Sequence, residues 1–254
     1  MPTLYKRLLF FLGLLLLWES LFRMDIWPDF LFPSPLSVAR TLVDGFADGS
    51  LPQAIAVSLQ RLLTGYGLAL LVGISLGFLM ARVQWLEETL GFLVLGLQTV
   101  PSVVWLPLAL LWFGLGDLAI IFVVSIGATL TMVISAESGV KNIPPIMLKA
   151  ARTMGAQGWK LFLYVVAPST VPAIMTGMRL AWAFAWRALI AGELIGSGTG
   201  LGQILMIGRG LGDMSLVLAV MLIIACIGVV LDNGVFKQLE ERVLRRWGLG
   251  NGSR

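Results

Sequence analysis

Arg179, Trp182, Trp186 and Glu193 are the residues whose types and spacing could do chemistry. At about 100° per residue, the two tryptophans and the glutamate fall within about 60° of Arg179, so one helix presents them as a single stripe. The stripe lies in an apolar run, where a charge is expensive and marks a candidate functional site. Two uses are open. The stripe could wall a pathway for a small anion, favoured by the local excess of arginine, or it could lock helices together through an ion pair or a cation-π contact. Arg187 sits about 80° to the other side of Arg179. Gln98 and Pro101 are further pathway or gate candidates because they interrupt another apolar run, and such breaks are tolerated where backbone meets protein or a water-filled path. Covalent chemistry has little to work with. The chain has one cysteine, Cys226, and no histidine. Neither a disulfide framework nor a cysteine or histidine metal site can be built, and no cofactor site is read in this chain. Cys226 is expected as a small core residue. With no paired-carboxylate motif and no motif-bearing nucleophile, an intramembrane enzyme is not supported.

The elements that carry these residues follow from composition. With 254 residues, 58% hydrophobic content, 13% charge and a mean hydropathy of +0.91, the chain is too apolar for a soluble domain of this length. It reads as an all-α polytopic membrane protein. Five stretches lack charge for about the 20 residues that a helix needs to cross a hydrocarbon core: 62–81, 89–116, 118–136, 161–178 and 214–231. A sixth, Leu8 to Phe22, is shorter and carries Glu19. The expected spans are approximately 8–22, 55–81, 89–114, 118–138, 166–194 and 213–236, within one transmembrane domain over 1–254. Lys6 and Arg7 flank the first as in a signal peptide, but no small-x-small cleavage site follows, so a retained span is favoured. A membrane β-barrel would alternate apolar and polar residues, and these runs do not.

Basic residues set the expected topology. With a cytoplasmic N-terminus, Lys6, Arg7, Arg82, Lys141, Lys149, Arg152, Lys160, Lys237, Arg242, Arg245, Arg246 and Arg254 lie inside, against Arg23, Arg40 and Arg209 outside. Both termini are then cytoplasmic, with a tail at 237–254 whose Lys/Arg cluster contacts anionic lipid headgroups. The net charge of +4 thus reports orientation rather than nucleic-acid binding. Asn251-Gly-Ser matches a glycosylation acceptor but falls on that tail. Arg61, at the outer end of the second span, is expected to snorkel to headgroups.

The external segment 23–54 holds Pro28, Pro33, Pro35 and Pro52 around a short amphipathic helix, for which Ser37 is the expected cap and Leu42, Val43 and Phe46 the apolar face. Gly73-x3-Gly77 allows close helix approach. Gln98-Thr-Val-Pro101 and Pro107 predict a kink near the middle of the third span. Pro144-Pro145 ends the fourth helix, and a separate helix is expected over 146–162, within a polar loop at 141–162. Lys149, Arg152 and Lys160 alternate there with Met147, Leu148, Met154, Trp159 and Phe162, so it can lie flat with an apolar side free for a partner. Gly155 costs about 1 kcal/mol against alanine inside a helix, which implies some return such as a tight turn or close approach.

That loop resembles the cytoplasmic "EAA" segment of ATP-binding cassette importer permeases: Glu-Ala-Ala, three residues, Gly, nine residues, then Ile-x-Leu-Pro. Ala150-Ala151, Gly155 and Pro168 keep the register, while Lys149, Val165 and Ala167 replace the glutamate, isoleucine and leucine. Ser58-Leu-Gln-Arg61-x3-Gly65-Tyr66, Pro101-x3-Trp105-Leu-Pro107, Trp112-Phe-Gly114-x-Gly116-Asp117 and Glu193-Leu-Ile-x5-Gly200-Leu-Gly202 are similar to the sulfonate, taurine, nitrate and bicarbonate branch of these permeases. Together they cover roughly residues 55 to 240. The resemblance implies a type I importer-like permease in a bacterial inner membrane, one half of a homodimeric pore, with an external solute-binding protein and two copies of a cytoplasmic ATPase. It implies that Lys149, Ala150, Ala151, Arg152, Gly155 and Trp159 couple to that ATPase. ATP and Mg2+ would bind the partner, since no G-x4-G-K-[ST] phosphate loop occurs here. The rival class is a secondary transporter or channel acting alone. Such a protein normally shows inverted repeats or intramembrane acid and histidine relays, and this sequence offers one intramembrane glutamate and no obvious repeat.

Overall fold

A computed structural model describes residues 2–28, 30–196 and 198–247. Arg254, the Asn251-Gly-Ser triplet and the end of the expected tail lie outside the described residues. Every regular element among the described residues is helical: α1 (Pro2–Arg23), α2 (Pro35–Ala47), α3 (Ser50–Arg82), α4 (Gln84–Gln98), a 3-10 turn (Ser102–Trp105), α5 (Leu106–Phe113), α6 (Asp117–Lys141), α7 (Pro145–Thr153), α8 (Gly158–Leu161), α9 (Ala167–Ile195), α10 (Leu201–Leu211), α11 (Met214–Leu231) and α12 (Lys237–Arg246). Two π turns, Phe162–Val166 and Asp232–Phe236, join α8 to α9 and α11 to α12. Four continuous helical stretches are long and apolar enough to cross a membrane: Ser50–Arg82, Asp117–Lys141, Gly158–Ile195 and Met214–Arg246. α4 with the 3-10 turn and α5 makes a fifth, broken one. α1 stands apart because it carries Lys6, Arg7, Glu19 and Arg23.

The broken span departs from the kink expected over 89–114. Its two halves meet at 98°. Pro101 disfavours helical backbone at Val100 and offers no amide itself, so α4 closes at Gln98 and the chain restarts as a 3-10 turn. The external helix also differs in its start. Ser34, not Ser37, is the N-cap: its Oγ accepts from the Ser37 amide at 3.1 Å. Pro35 follows at the first helical position, where its fixed φ fits and its missing N–H costs nothing.

Packing divides the chain into two compact units, and the division falls inside α3, α9 and α11. One unit holds Met1–Ser58 and Glu193–Cys226. Here Trp18 Nε1 donates to the Pro33 carbonyl at 3.0 Å, and Ser215 Oγ meets Ser37 Oγ at 3.2 Å. α10 was not anticipated from the sequence, being too short and glycine-rich to read as a span. Cys226 is exposed rather than a core residue. It shares a face with Ala219, but burial on α11 stops at Ile223, nearly one turn earlier.

The other unit holds Leu59–Gly192 and Ile227–Arg254, with α6 at its centre. Ala119, Ile120, Val123, Val124, Ala128 and Met132 of α6 are buried. Lipid is as apolar as leucine, so helices associate here through close contact rather than through a hydrophobic driving force. Gly73 and Gly77 provide that contact. A Cβ on Gly73 would lie 2.6 Å from Met132 Cβ, and one on Gly77 2.5 Å from the Val133 carbonyl. Gly67, about 100° around α3 from that pair, has open space around it.

Gly77→Ala is therefore expected to force α3 from α6 and lower stability by about 1–3 kcal/mol. Gly67→Ala is expected to be neutral or to gain up to about 1 kcal/mol from helix propensity. Thermal unfolding of the two variants in detergent compares them directly, and equal melting would refute the close-contact reading.

Candidate functional site

The polar loop after α6 is built by its prolines and glycines. Pro144 caps α7 and Pro145 opens it. Ala151 is buried beneath the helix, while Lys149, Ala150 and Arg152 are exposed. The helix stops after Thr153, because Gly155 adopts φ +88°. Its amide bonds to the Arg152 carbonyl and the Ala156 amide to the Ala151 carbonyl, both at 3.0 Å. That pair of bonds is a Schellman motif with its glycine in the left-handed position, and it consumes carbonyls the helix end would otherwise leave bare. The single helix expected over 146–162 is thus two, α7 and α8, with a glycine turn between them. Trp159 of α8 stacks on Phe162 at 5.2 Å, and Phe162 meets Phe78 edge-on and lies 5.4 Å beneath the Arg82 guanidinium. Ile146, Met154 and Trp159 stay 72%, 82% and 67% exposed. The result is an apolar face edged by Lys149, Arg152 and Lys160.

Past α8 the chain widens into the first π turn. Pro168 has no amide for the Tyr164 carbonyl, and the Ala167 amide reaches back five residues to Phe162 instead.

The Arg179 stripe is engaged in ion pairs and ring contacts. Arg179 Nε and Nη2 donate to the two oxygens of Asp232, each at 2.7 Å, and Nη1 donates to Glu240 at 3.0 Å. Thr176 Oγ1 donates to the other Glu240 oxygen at 2.7 Å. Such a forked arrangement is the strongest that arginine makes with carboxylates. The second π turn permits it. Residues 232 and 240 would sit about 80° apart on an unbroken α-helix, and one extra residue in the turn reduces this to about 20°. Trp182 packs on Tyr66 and Phe236 with ring centres 5.2 and 4.9 Å away, and Trp186 lies 3.3 Å from where a Cβ on Gly228 would be. In this placement Arg179, Trp182 and Trp186 make the contacts of a helix lock, the second of the two uses open to the stripe.

Glu193 belongs to the other unit. It is 1% exposed. Ser58 Oγ lies 2.7 and 2.8 Å from its two oxygens, and the Gly202 amide donates to Oε2 at 3.0 Å. The Leu201 amide donates to Ser58 Oγ at 2.9 Å. Ser58 and Glu193 together satisfy the first amides of α10, whose cap residue, Gly200, has no side chain to do so. Arg61 likewise does not snorkel. It is 4% exposed and donates to Asp117 Oδ1 at 2.9 Å from Nε and 2.6 Å from Nη2.

Gln98 and Pro101 do reach a cavity, of about 420 Å3, at the break between α4 and α5. α6 contributes Gly127 and Thr131 to its wall, and α9 contributes Phe184 and Arg187. A Cβ on Gly127 would stand 3.0 Å from that of Ser102, so the glycine seats the 3-10 turn against α6. Arg187 is off the stripe, about 80° to the other side of Arg179. The same 80° offset that separates it from Arg179 is what carries it to this cavity.

Three comparisons bear on the whole. The family model described as "Binding-protein-dependent transport system inner membrane component" matches residues 69–244. A putative ABC transporter permease protein of Methanocaldococcus jannaschii is 36% identical over 89% of this chain and 86% of its own length. A riboflavin transport system permease protein of Chloroflexus aurantiacus is 32% identical over 92% and 87%, and a putative aliphatic sulfonates transport permease protein of Escherichia coli is 31% identical over 92% and 89%. Among solved structures, a chain of the inward-facing MetNI methionine ABC transporter superposes with a TM-score of 0.67 at 20% identity, covering 76% of this chain and 95% of that one. That last likeness is one of fold.

Arg179→Gln is expected to cost about 1–2 kcal/mol of stability, since the pair is partly exposed and solvent weakens it. A double-mutant cycle with Asp232→Asn, read by thermal melting in detergent, should show coupling between the two. Unchanged melting with loss of transport would restore the pathway reading.

Proposed function

The chain belongs to the binding-protein-dependent transport inner-membrane components, the permease subunits of ABC importers, and from that premise we propose that it couples to its ATPase through α7, the Gly155 turn and α8. The observation that carries this is the exposed face of Ile146, Met154 and Trp159 on a segment whose geometry is fixed by a left-handed glycine. An apolar centre with a charged rim is the ordinary anatomy of a docking patch. The sequence has no phosphate loop, so nucleotide and Mg2+ belong to the partner. The distribution of Lys and Arg supports placing this segment and both termini in the cytoplasm.

The assembly is two copies of this chain, two ATPase subunits and an extracytoplasmic solute-binding protein, in a bacterial inner membrane. The permease does no covalent chemistry. It alternates between outward-open and inward-open packings, and ATPase closure acts on that equilibrium through α7 and α8. Its solute is small and anionic or zwitterionic, of the sulfonate, taurine, nitrate or bicarbonate class. The sulfonate relative and the arginine at the α4–α5 cavity support that choice over the flavin of the Chloroflexus relative.

Two variants test the coupling surface. Gly155→Leu puts a side chain at φ +88°, which costs about 1–2 kcal/mol locally and turns the chain out of its Schellman geometry. The permease is expected to insert and fold while ATPase co-purification and solute-stimulated hydrolysis fall sharply. Gly155→Asn, which tolerates that conformation better, should fall less. Normal co-purification and uptake in Gly155→Leu would remove the proposal. Lys149 stands where the family pattern has glutamate, so an acidic residue is expected opposite it on this protein's own ATPase. Lys149→Glu should weaken the complex about tenfold, and undiminished binding would show the position to be merely solvated.

A further inference from the structure

We propose that the cavity at the α4–α5 break is a transit site for the negatively charged head of the solute, and that Arg187 is the residue that selects it. The proposal rests on the reading of the chain as the pathway of a small-anion importer.

Three observations converge. First, Arg187 differs from the two neighbouring intramembrane arginines. Arg61 and Arg179 have carboxylate oxygens within 3.0 Å. Arg187 forms no ion pair among the described residues; its Nε donates to the Ala183 carbonyl at 3.1 Å and its guanidinium carbon lies 5.1 Å from the Phe184 ring. A guanidinium stays protonated, and leaving it uncompensated in hydrocarbon costs several kcal/mol. Facing a water-filled path that an anion visits removes that cost. Second, the other polar side chains around the cavity are neutral and can donate. Gln98, Thr99, Ser102 and Thr131 line it and no carboxylate does. Their N–H and O–H groups can donate to sulfonate, nitrate or carbonate oxygens, while a cation meets the guanidinium charge with no carboxylate in the lining to offset it. Third, the space is of solute size. About 420 Å3, walled in part by Trp105 and Phe184, is within the range of small-molecule pockets. Helix breaks within a membrane are tolerated where they line such a cavity. A cation with no ion pair among the described residues, a carboxylate-free lining and a helix break thus coincide in one place.

The test measures local charge preference without knowing the solute. The full transporter, with its ATPase and binding-protein subunits, is prepared in proteoliposomes carrying Cys226→Ser and Ser102→Cys. The new thiol is reacted with 2-sulfonatoethyl methanethiosulfonate and, separately, with its trimethylammonium counterpart. The ratio of the two rates, divided by the same ratio for free 2-mercaptoethanol, should be about tenfold or more in favour of the sulfonate, since one charge acts on the two reagents with opposite sign. Arg187→Lys should keep that preference and Arg187→Gln should reduce it to about the free-thiol value. An unreactive thiol, or a ratio unchanged by Arg187→Gln, overturns the proposal. If Arg187→Gln does not assemble, a ratio at or below the free-thiol value in the Arg187 and Arg187→Lys proteins overturns it equally. Co-purification of the ATPase reads the proposed function separately. Its loss with a preserved rate ratio would sink the importer reading and leave the anion preference standing.

Discussion

Hydrocarbon offers no hydrogen bonds, so every polar atom carried into a span must find its partner within the protein or along water. The positions of this chain's charges follow from that constraint. Arg61 is closed off by Asp117, Arg179 by Asp232 and Glu240, and Glu193 by Ser58 and an α10 amide. Each arrangement ties together segments that are distant in sequence, and each therefore specifies which helices are neighbours. Apolar contact cannot do this alone, because lipid competes on equal terms with any leucine.

Specificity of helix pairing comes equally from shape. Glycines on α3 face α6 where a methyl group would collide with backbone or Cβ atoms. The irregular segments are of the same kind. Pro101 creates a sharp break, Pro168 a one-residue widening, and Gly155 a reversal of helical sense. Side-chain placement follows from such irregularities: the break at Pro101 opens the cavity that Arg187 reaches, the Gly155 turn leads into α8, whose Trp159 stacks on Phe162, and the separate Asp232–Phe236 π turn aligns Asp232 with Glu240.

The helical class, the membrane setting and the polar loop were legible in the sequence because they rest on composition and short-range spacing. Lys149 to Pro168 could be read for the same reason, although the glycine turn divided what looked like one helix. The Arg179 stripe was visible as a face turned from lipid, but its partners were not. Asp232 lies 53 residues away and Glu240 61, and their shared face exists only because of a π turn, which the sequence signals by no proline. Glu193 was similarly opaque: its partners are a serine 135 residues distant and the first turn of α10, a helix not foreseen. The offset of Arg187, about 80°, could be read, but the cavity it reaches is formed by residues of α4, the 3-10 turn and α6, which no spacing along its own helix reveals.

The second π turn has a bearing on how this chain can change over generations. A π turn is one residue more than the regular helix requires, so it is the signature of an insertion retained within a helix. Losing any one residue from Asp232–Phe236 would let the ladder close into ordinary α-helix. That would swing everything beyond it by about 100° and carry Glu240 away from Arg179. Point substitutions in α12 are local events, whereas a single-codon deletion here alters the phase of the whole C-terminal helix. Length in this five-residue segment is thus under tighter restraint than its composition.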